Sequence, residues 1–146
     1  MYRLYYLGLI FLLGCDNSPV NDNFIDDNSS LISIAFGSIS NDSLEINLNT
    51  SHEIGGFQFT ISGATITSFY GGLSEQNGFS IASNPDTGII IGYSLSGNSI
   101  PSGSNGILTN LNYIDQNSNI CISNVVLSDP NANSLNINSI GDCIEY

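Results

Sequence analysis

The chain has 146 residues and a formal net charge of −12, because 13 Asp and Glu residues are set against a single cation, Arg3. Proteins that bind nucleic acid neutralise phosphates with Lys and Arg, and no such residue follows position 3. Nucleic-acid binding is therefore excluded, together with every enzyme mechanism that needs a P-loop lysine, a Schiff-base lysine or an arginine finger.

Residues 1–14 are predicted to form a lipoprotein signal peptide. Arg3 precedes an apolar run of ten residues, 4–13, which is shorter than the roughly 20 apolar residues that a membrane span needs. The run ends in Leu12-Leu13-Gly14-Cys15, which resembles the bacterial lipobox. That resemblance implies cleavage before Cys15 and a diacylglyceryl group on its sulfur.

Residues 15–30 are predicted to be the lipidated Cys15 followed by a flexible acidic linker. The stretch is rich in Asp, Asn and Ser and nearly free of apolar side chains, so it cannot bury a core. We therefore expect a protein of the bacterial cell envelope that reaches its membrane through a lipid anchor. The outer membrane or cell surface is favoured over the inner membrane.

Residues 31–146 are predicted to form one all-β domain. Apolar and polar residues alternate with a period of two, as in Leu44, Ile46 and Leu48 around Glu45 and Asn47, and no stretch shows helical periodicity. Turn signals separate the apolar stretches at near-regular intervals. This pattern predicts an antiparallel β-sandwich of about nine strands. The predicted strands are 32–36, 44–48, 57–61, 64–70, 79–82, 88–95, 107–114 and 120–127, with short stretches at 135–137 and 143–144.

Cys121 and Cys143 remain once Cys15 is assigned to the lipid. An even pair of cysteines in an exported chain predicts a disulfide. The alternative is a metal pair, but His52 is the single histidine and lies far away in the sequence. A tetrahedral zinc site needs Cys and His residues at tight spacing, so we predict the disulfide.

Six blocks of this domain carry a family resemblance: IGGFQF (54–59), GIIIGYSLSG (88–97), IPSG (100–103), GILT (106–109), CISNVVLSD (121–129) and GDCI (141–144). They resemble the cohesin-type domains, which are jelly-roll sandwiches related to cellulose-binding modules. The resemblance is to a small variant found in lipoproteins and large envelope proteins of marine bacteria, and it covers nearly all of residues 31–146. It implies a fold and a protein-interaction role rather than a particular ligand.

His52 is the one general-base candidate with an ordinary pKa near neutrality. It lies in a polar link between two predicted strands, and no G-x-S-x-G elbow surrounds Ser51. The acidic residues are scattered over turns and linker, without the paired carboxylates of a glycosidase. We therefore expect an exposed loop histidine and no enzyme activity.

Two segments open like calcium-binding EF-hand loops, beginning at Asp115 and Asp129 with the pattern D-x-N-x-N. Both lack the Gly at position six and the Glu at position twelve that the loop requires. Turns in which Asn and Asp side chains bond their own backbone explain the pattern better. Asp115 and Asp129 remain the candidate ligands of a structural Ca²⁺, and no other cofactor is expected.

Tyr70, Tyr93 and Tyr113 are the candidate aromatic residues of a ligand-binding face, with Phe69 beside Tyr70. Tyr70 is the most interesting, because Gly71-Gly72 next to it would leave the ring accessible. Aromatic residues on strands also serve core packing. The leading hypothesis is thus a non-catalytic module for protein–protein interaction or adhesion. The alternative is a lipoprotein that retains polysaccharide at the cell surface, and a glycosidase is the third.

Overall fold

The computed structural model describes residues 31–114 and 118–145. The predicted signal peptide, Cys15 and the linker lie outside these residues, as does Asp115. The described elements in chain order are β1 (Ile32–Ile39), β2 (Ser43–Thr50), β3 (Gly56–Ser62), β4 (Thr65–Tyr70), α1 (Gly72–Gln76), β5 (Ser80–Asn84), β6 (Ile89–Tyr93), β7 (Asn105–Ile114), β8 (Cys121–Ser128), β9 (Ser134–Leu135) and β10 (Ser139–Ile140).

The strands form two five-stranded sheets, which confirms the predicted β-sandwich. One sheet has the order β10-β1-β2-β7-β4, and the other has the order β5-β6-β3-β8-β9. All of the strand pairs are antiparallel except β1 with β10. The segment that contains α1 connects the edge strand of the first sheet, β4, to the edge strand of the second, β5.

The core lies between the two sheets and is built by the alternation seen in the sequence. In β2, Leu44, Ile46 and Leu48 are buried, while Glu45 and Asn47 lie on the outer side. In β3, Phe57, Phe59 and Ile61 are buried in the same way, and the rings of Phe57 and Phe59 lie 5.9 Å apart between centroids. Because side chains alternate between the faces of a strand, one apolar set per strand suffices to fill the core.

The structure differs from the predicted elements in three places. The helix α1 was not predicted, because five residues are too few to show a helical period. The strand β10 was also missed, and its parallel pairing with β1 makes the first sheet mixed rather than purely antiparallel. The predicted strand at 143–144 is instead a single bridge between Ile120 and Ile144.

The predicted strand at 88–95 corresponds to β6, and its start is apolar on both faces, which is typical of a central strand. This strand does pair on both sides, with β3 and β5. Only Ile90 and Gly92 face the core, whereas Ile91 and Tyr93 are exposed on the outer face. β6 is therefore a central strand of its sheet, as predicted, with one face on the core and the other face open.

Candidate functional site

Exposed apolar side chains occupy the outer face of the second sheet. Gln58 in β3 is paired with Ile91 on one side and with Val126 on the other, so the three residues form one row across the sheet. Ile91 is 42% exposed and Val126 is 50% exposed, and Tyr93 in the same strand as Ile91 is 40% exposed. We call Gln58, Ile91, Tyr93 and Val126 the apolar face.

The strands that carry the apolar face contain no charged residue. None of the five strands of the second sheet contains Asp, Glu, Lys or Arg, although the chain has 13 acidic residues. The outer side of the first sheet is different, since its central strand β2 places Glu45, Asn47 and Asn49 there. Apolar surface in water is unfavourable in proportion to its area, so the two outer faces differ in what they can bind.

A shallow depression of about 270 Å³ runs through the apolar face. Gly56 is one of the residues that line it. This glycine lies between Tyr93 and Ser128 of the neighbouring strands and has no side chain to fill the space. The depression is lined mainly by apolar atoms of Ile91, Tyr93 and Val126. A partner that inserts an apolar side chain there would bury contacts on three strands at once.

A second concave region lies between the edge strands β4 and β5, beside α1. We call it the edge cleft. Its volume is about 530 Å³, and it is lined by Phe69, Tyr70, Gly71, Glu75, Phe79, Ile81 and Thr109. It therefore combines three aromatic rings with one carboxylate.

Local hydrogen bonds hold α1 against β7 and shape the edge cleft. Gly72 has a φ of +73°, and a Cβ there would lie 2.5 Å from the carbonyl oxygen of Leu108, so the close approach requires glycine. The buried Ser74 hydroxyl donates to the same Leu108 oxygen at 2.6 Å. The carboxylate of Glu75 accepts the backbone N–H of Gly71, which keeps this charged group at the rim.

The three predicted ligand-face tyrosines have different positions. Tyr70 lines the edge cleft and is 48% exposed, whereas Tyr93 belongs to the apolar face. Tyr113 is only 3% exposed, and its hydroxyl donates to the carbonyl of Ser40 at 2.8 Å. The prediction for Tyr113 is wrong because the alternation of β7 turns this side chain into the core.

The turn at Asp129 has the predicted Asx chemistry. One carboxylate oxygen accepts the backbone N–H groups of Asn131 and Asn133, and the other accepts the side-chain amide of Asn133. The amide and backbone donors of Asn133, with Asn131, hold the pKa of Asp129 below its ordinary value. Both oxygens thus have partners within the turn. The calcium prediction for Asp129 itself stays a prediction.

His52 lies exposed in the link between β2 and β3, as predicted. Its Nδ1 atom is 3.1 Å from the hydroxyl of Ser51, and its backbone N–H donates to Thr50. A hydrolytic triad uses Nε2 for the serine and reserves Nδ1 for an orienting carboxylate. Here the serine contacts Nδ1 instead of Nε2. Ser51 and His52 therefore do not have the geometry of a nucleophile and its base.

Cys121 and Cys143 form the predicted disulfide, with their Cα atoms 4.3 Å apart. Beside it, the backbone groups of Ile120 and Ile144 exchange two hydrogen bonds of 3.0 and 2.8 Å. The bond therefore attaches the C-terminal segment to the start of β8. The predicted lipidation at Cys15 lies outside the described residues.

The described part of the chain contains neither a metal-binding cluster nor a membrane-spanning helix. No three His, Cys, Asp or Glu side chains in it are grouped so that they could hold a metal ion. Among the helices of residues 31–114 and 118–145, none has the length and apolar character of a membrane span.

Comparison with solved structures identifies the fold of this sandwich. A non-cellulosomal cohesin from the archaeon Archaeoglobus fulgidus is 16% identical, with a TM-score of 0.56 over 79% of this chain and 90% of that one. The sixth cohesin of Acetivibrio cellulolyticus scaffoldin B, solved in complex with a dockerin, is 13% identical, with a TM-score of 0.55 over 79% and 98%. The seventh ScaB type I cohesin of Pseudobacteroides cellulosolvens is also 13% identical, with a TM-score of 0.54 over 79% and 91%.

These similarities show that the domain is a jelly-roll β-sandwich, and that its particular architecture is the cohesin-type fold. The predicted fold is thereby confirmed. No family model matches the sequence, and a search of curated proteins finds no match either. The fold is thus established by tertiary structure at low sequence identity, which does not by itself assign a ligand.

Sequence reasoning missed Ile91, Val126 and Glu75. A signal for the first two was present, because Ile89-Ile90-Ile91 and Val125-Val126 are consecutive apolar residues. In a strand with one buried face, such runs must place an apolar side chain outside. Glu75 had no comparable signal, since its position beside Tyr70 depends on α1.

Proposed function

We propose that this domain is a non-catalytic protein-interaction module and that its partner docks on the apolar face. The observation that carries the proposal is the row of Val126, Gln58 and Ile91 with Tyr93 beside it, exposed on a sheet without charged residues. Soluble domains cover most of their apolar groups, and grouped exposed ones mark interaction surfaces. The dockerin complex of one similar cohesin supports a protein partner.

The chemistry of the apolar face predicts the chemistry of its partner. Desolvation of this face costs little because it contains no ionised group, so an uncharged, apolar patch on the partner fits its centre. The rest of the domain is strongly acidic. Its field attracts a partner with basic residues around that patch and raises the association rate at low salt.

Ile91→Asp is expected to weaken partner binding by about tenfold or more, because it places a charge in the centre of the contact. The measurement is the affinity for envelope proteins that the wild-type domain captures and that are then purified. Ile140→Asp is the matched control, since Ile140 is an exposed isoleucine, 43% accessible, in the other sheet.

Equal loss of binding in both variants would contradict a specific role of the apolar face. A glycan array provides the test of the alternative function. Binding to a polysaccharide that Tyr70→Ala abolishes, without capture of any protein partner, would favour polysaccharide retention over the proposed protein interaction.

We further propose that the module is displayed from a bacterial membrane through a lipid on Cys15. The support comes from the sequence, in which an apolar run and the Leu-Leu-Gly-Cys motif precede an acidic linker. Cys15→Ser is expected to move the protein from the membrane fraction to the soluble fraction. The measurement is fractionation of expressing cells, and Ser18→Ala is the control. Unchanged membrane association of Cys15→Ser would refute the lipid anchor.

A further inference from the structure

The geometry points to the edge cleft as a binding site for an organic cation, such as a quaternary ammonium, a lysine ammonium or an arginine guanidinium group. This site is separate from the apolar face. The inference therefore does not depend on the proposed function.

The lining of the edge cleft has the composition that recognises organic cations. Tyr70 contributes an exposed aromatic ring, Phe69 and Phe79 line the cleft from positions packed on the core, and Glu75 contributes a negative charge. Aromatic faces carry a negative quadrupole that attracts ammonium and guanidinium groups. A carboxylate in the same cleft adds a direct charge–charge attraction. The apolar surface of an alkylated ammonium would pack against the rings.

The residues that line and surround this cleft in the described part of the chain include no lysine or arginine. Lys and Arg are absent after Arg3, and Glu75 accepts a hydrogen bond from the neutral N–H of Gly71. The net charge of −12 concentrates cations and repels anions at the surface. No lysine or arginine of the described residues is available to Glu75, so the positive group in this inference belongs to another molecule.

Two hydrogen-bond donors near the edge cleft are already used within the protein, which leaves fewer of them for a neutral sugar. The Thr109 hydroxyl donates to the carbonyl of Asn110 at 3.3 Å. The side-chain amide of Asn110 donates to the carbonyl of Tyr70 at 3.1 Å. Sugar hydroxyls both donate and accept, whereas the charged group at this rim is an acceptor. A cation that carries hydrogen-bond donors or apolar substituents matches this acceptor better than a sugar does.

The decisive comparison is between choline and 3,3-dimethylbutan-1-ol, which has the same shape without the charge. The assay is NMR titration of the full-length protein carrying Cys15→Ser. We expect choline to shift amide signals of residues 70–75, and the neutral alcohol to bind about tenfold more weakly or not at all. Added NaCl should weaken choline binding, because salt screens the attraction to Glu75. Equal binding of the two compounds would overturn the inference.

Two pairs of variants test the contributing residues. Glu75→Gln keeps an acceptor for the Gly71 N–H but removes the charge, and it should weaken choline binding about 3- to 10-fold. Glu45→Gln is the matched control, because Glu45 also accepts a backbone N–H, that of Ser38 at 2.9 Å. Tyr70→Leu should weaken binding to a similar degree, and Tyr93→Leu should not. Equal effects within each pair would also overturn the inference.

Further probes distinguish the source of the cation. Tighter binding of N-acetyl-arginine amide than of choline indicates a basic side chain of a protein partner, and the reverse order indicates a small quaternary ammonium compound. Binding of neutral oligosaccharides at residues 70–75, with no effect of choline, would replace the inference by a sugar site. Ile91→Asp should bind choline like the wild type, which separates this site from the apolar face.

Discussion

Gly92→Val is expected to destabilise the domain by about 3 kcal/mol, because it forces a side chain into a filled part of the core. Gly92 faces inward in β6, directly opposite Phe57 in β3. A Cβ at this position would lie 2.0 Å from Cζ of the Phe57 ring. That ring is held on another side by Phe79, with centroids 5.9 Å apart, so it cannot yield without disturbing the stack. Urea denaturation measures the free energy of unfolding.

Gly106→Val is the matched control for this prediction. Gly106 also lies in a strand, β7, but nothing lies within 4 Å of a Cβ at that position. Valine favours strands, so Gly106→Val is expected to leave the free energy of unfolding unchanged or slightly higher. Adding Phe57→Leu to Gly92→Val should recover part of the loss, since it removes ring atoms from the clash. Similar stabilities of the two valine variants would contradict the packing argument.

Reduction of the Cys121–Cys143 bond is expected to lower the free energy of unfolding by about 3 kcal/mol. The bond closes a loop with a sequence separation of 22 residues, and its removal increases the entropy of the unfolded chain. For a domain of this size the melting temperature should fall by roughly 10–15 °C. The measurement is thermal denaturation with and without reductant, on protein carrying Cys15→Ser so that no third thiol takes part.

The same experiment has an internal control. A variant with serine at both 121 and 143 should melt at the temperature of the reduced protein and should not respond to reductant. The C-terminal segment would also exchange its amide hydrogens faster, because the Ile120–Ile144 bridge loses the bond beside it. Two free thiols in the oxidised protein, or a melting temperature unaffected by reduction, would refute the prediction.

The two predictions concern the same scaffold that presents the apolar face. Gly92 lies between Ile91 and Tyr93 in β6, so the packing of Phe57 beneath it determines how these two side chains are held outside. Cys121 of the disulfide is the first residue of β8, and β8 also carries Val126. Loss of either feature should therefore disturb partner binding as well as stability, whereas Ile91→Asp should affect binding alone.

Much of this fold was predictable because strand alternation is a local property. The buried sets of β2 and β3 were identified from their periodicity, and the cysteine pair followed from the count of cysteines in an exported chain. β10 was not predictable in this way, because a two-residue strand has no period and forms only where β1 offers an edge. The helix α1 depends on Gly72 approaching Leu108, which is a contact between distant parts of the chain.

The candidate sites were less predictable than the core. Tyr113 and Tyr93 both belong to strands and were equivalent as sequence candidates, yet one is buried and the other exposed. Whether a tyrosine on a strand is buried or exposed depends on which face of that strand meets the other sheet. Glu75 could not be related to Phe79 and Tyr70 without the helix that places them around one cleft.

The amino-acid sequence alone determined the charge of this protein, the β class and the pairing of its cysteines. These properties depend on composition, on counts and on periodicity along the chain. Tertiary structure decided which apolar residues remain outside and which aromatic rings surround Glu75. Such groupings join residues from separate strands. They arise only when sheet order and register place those residues side by side.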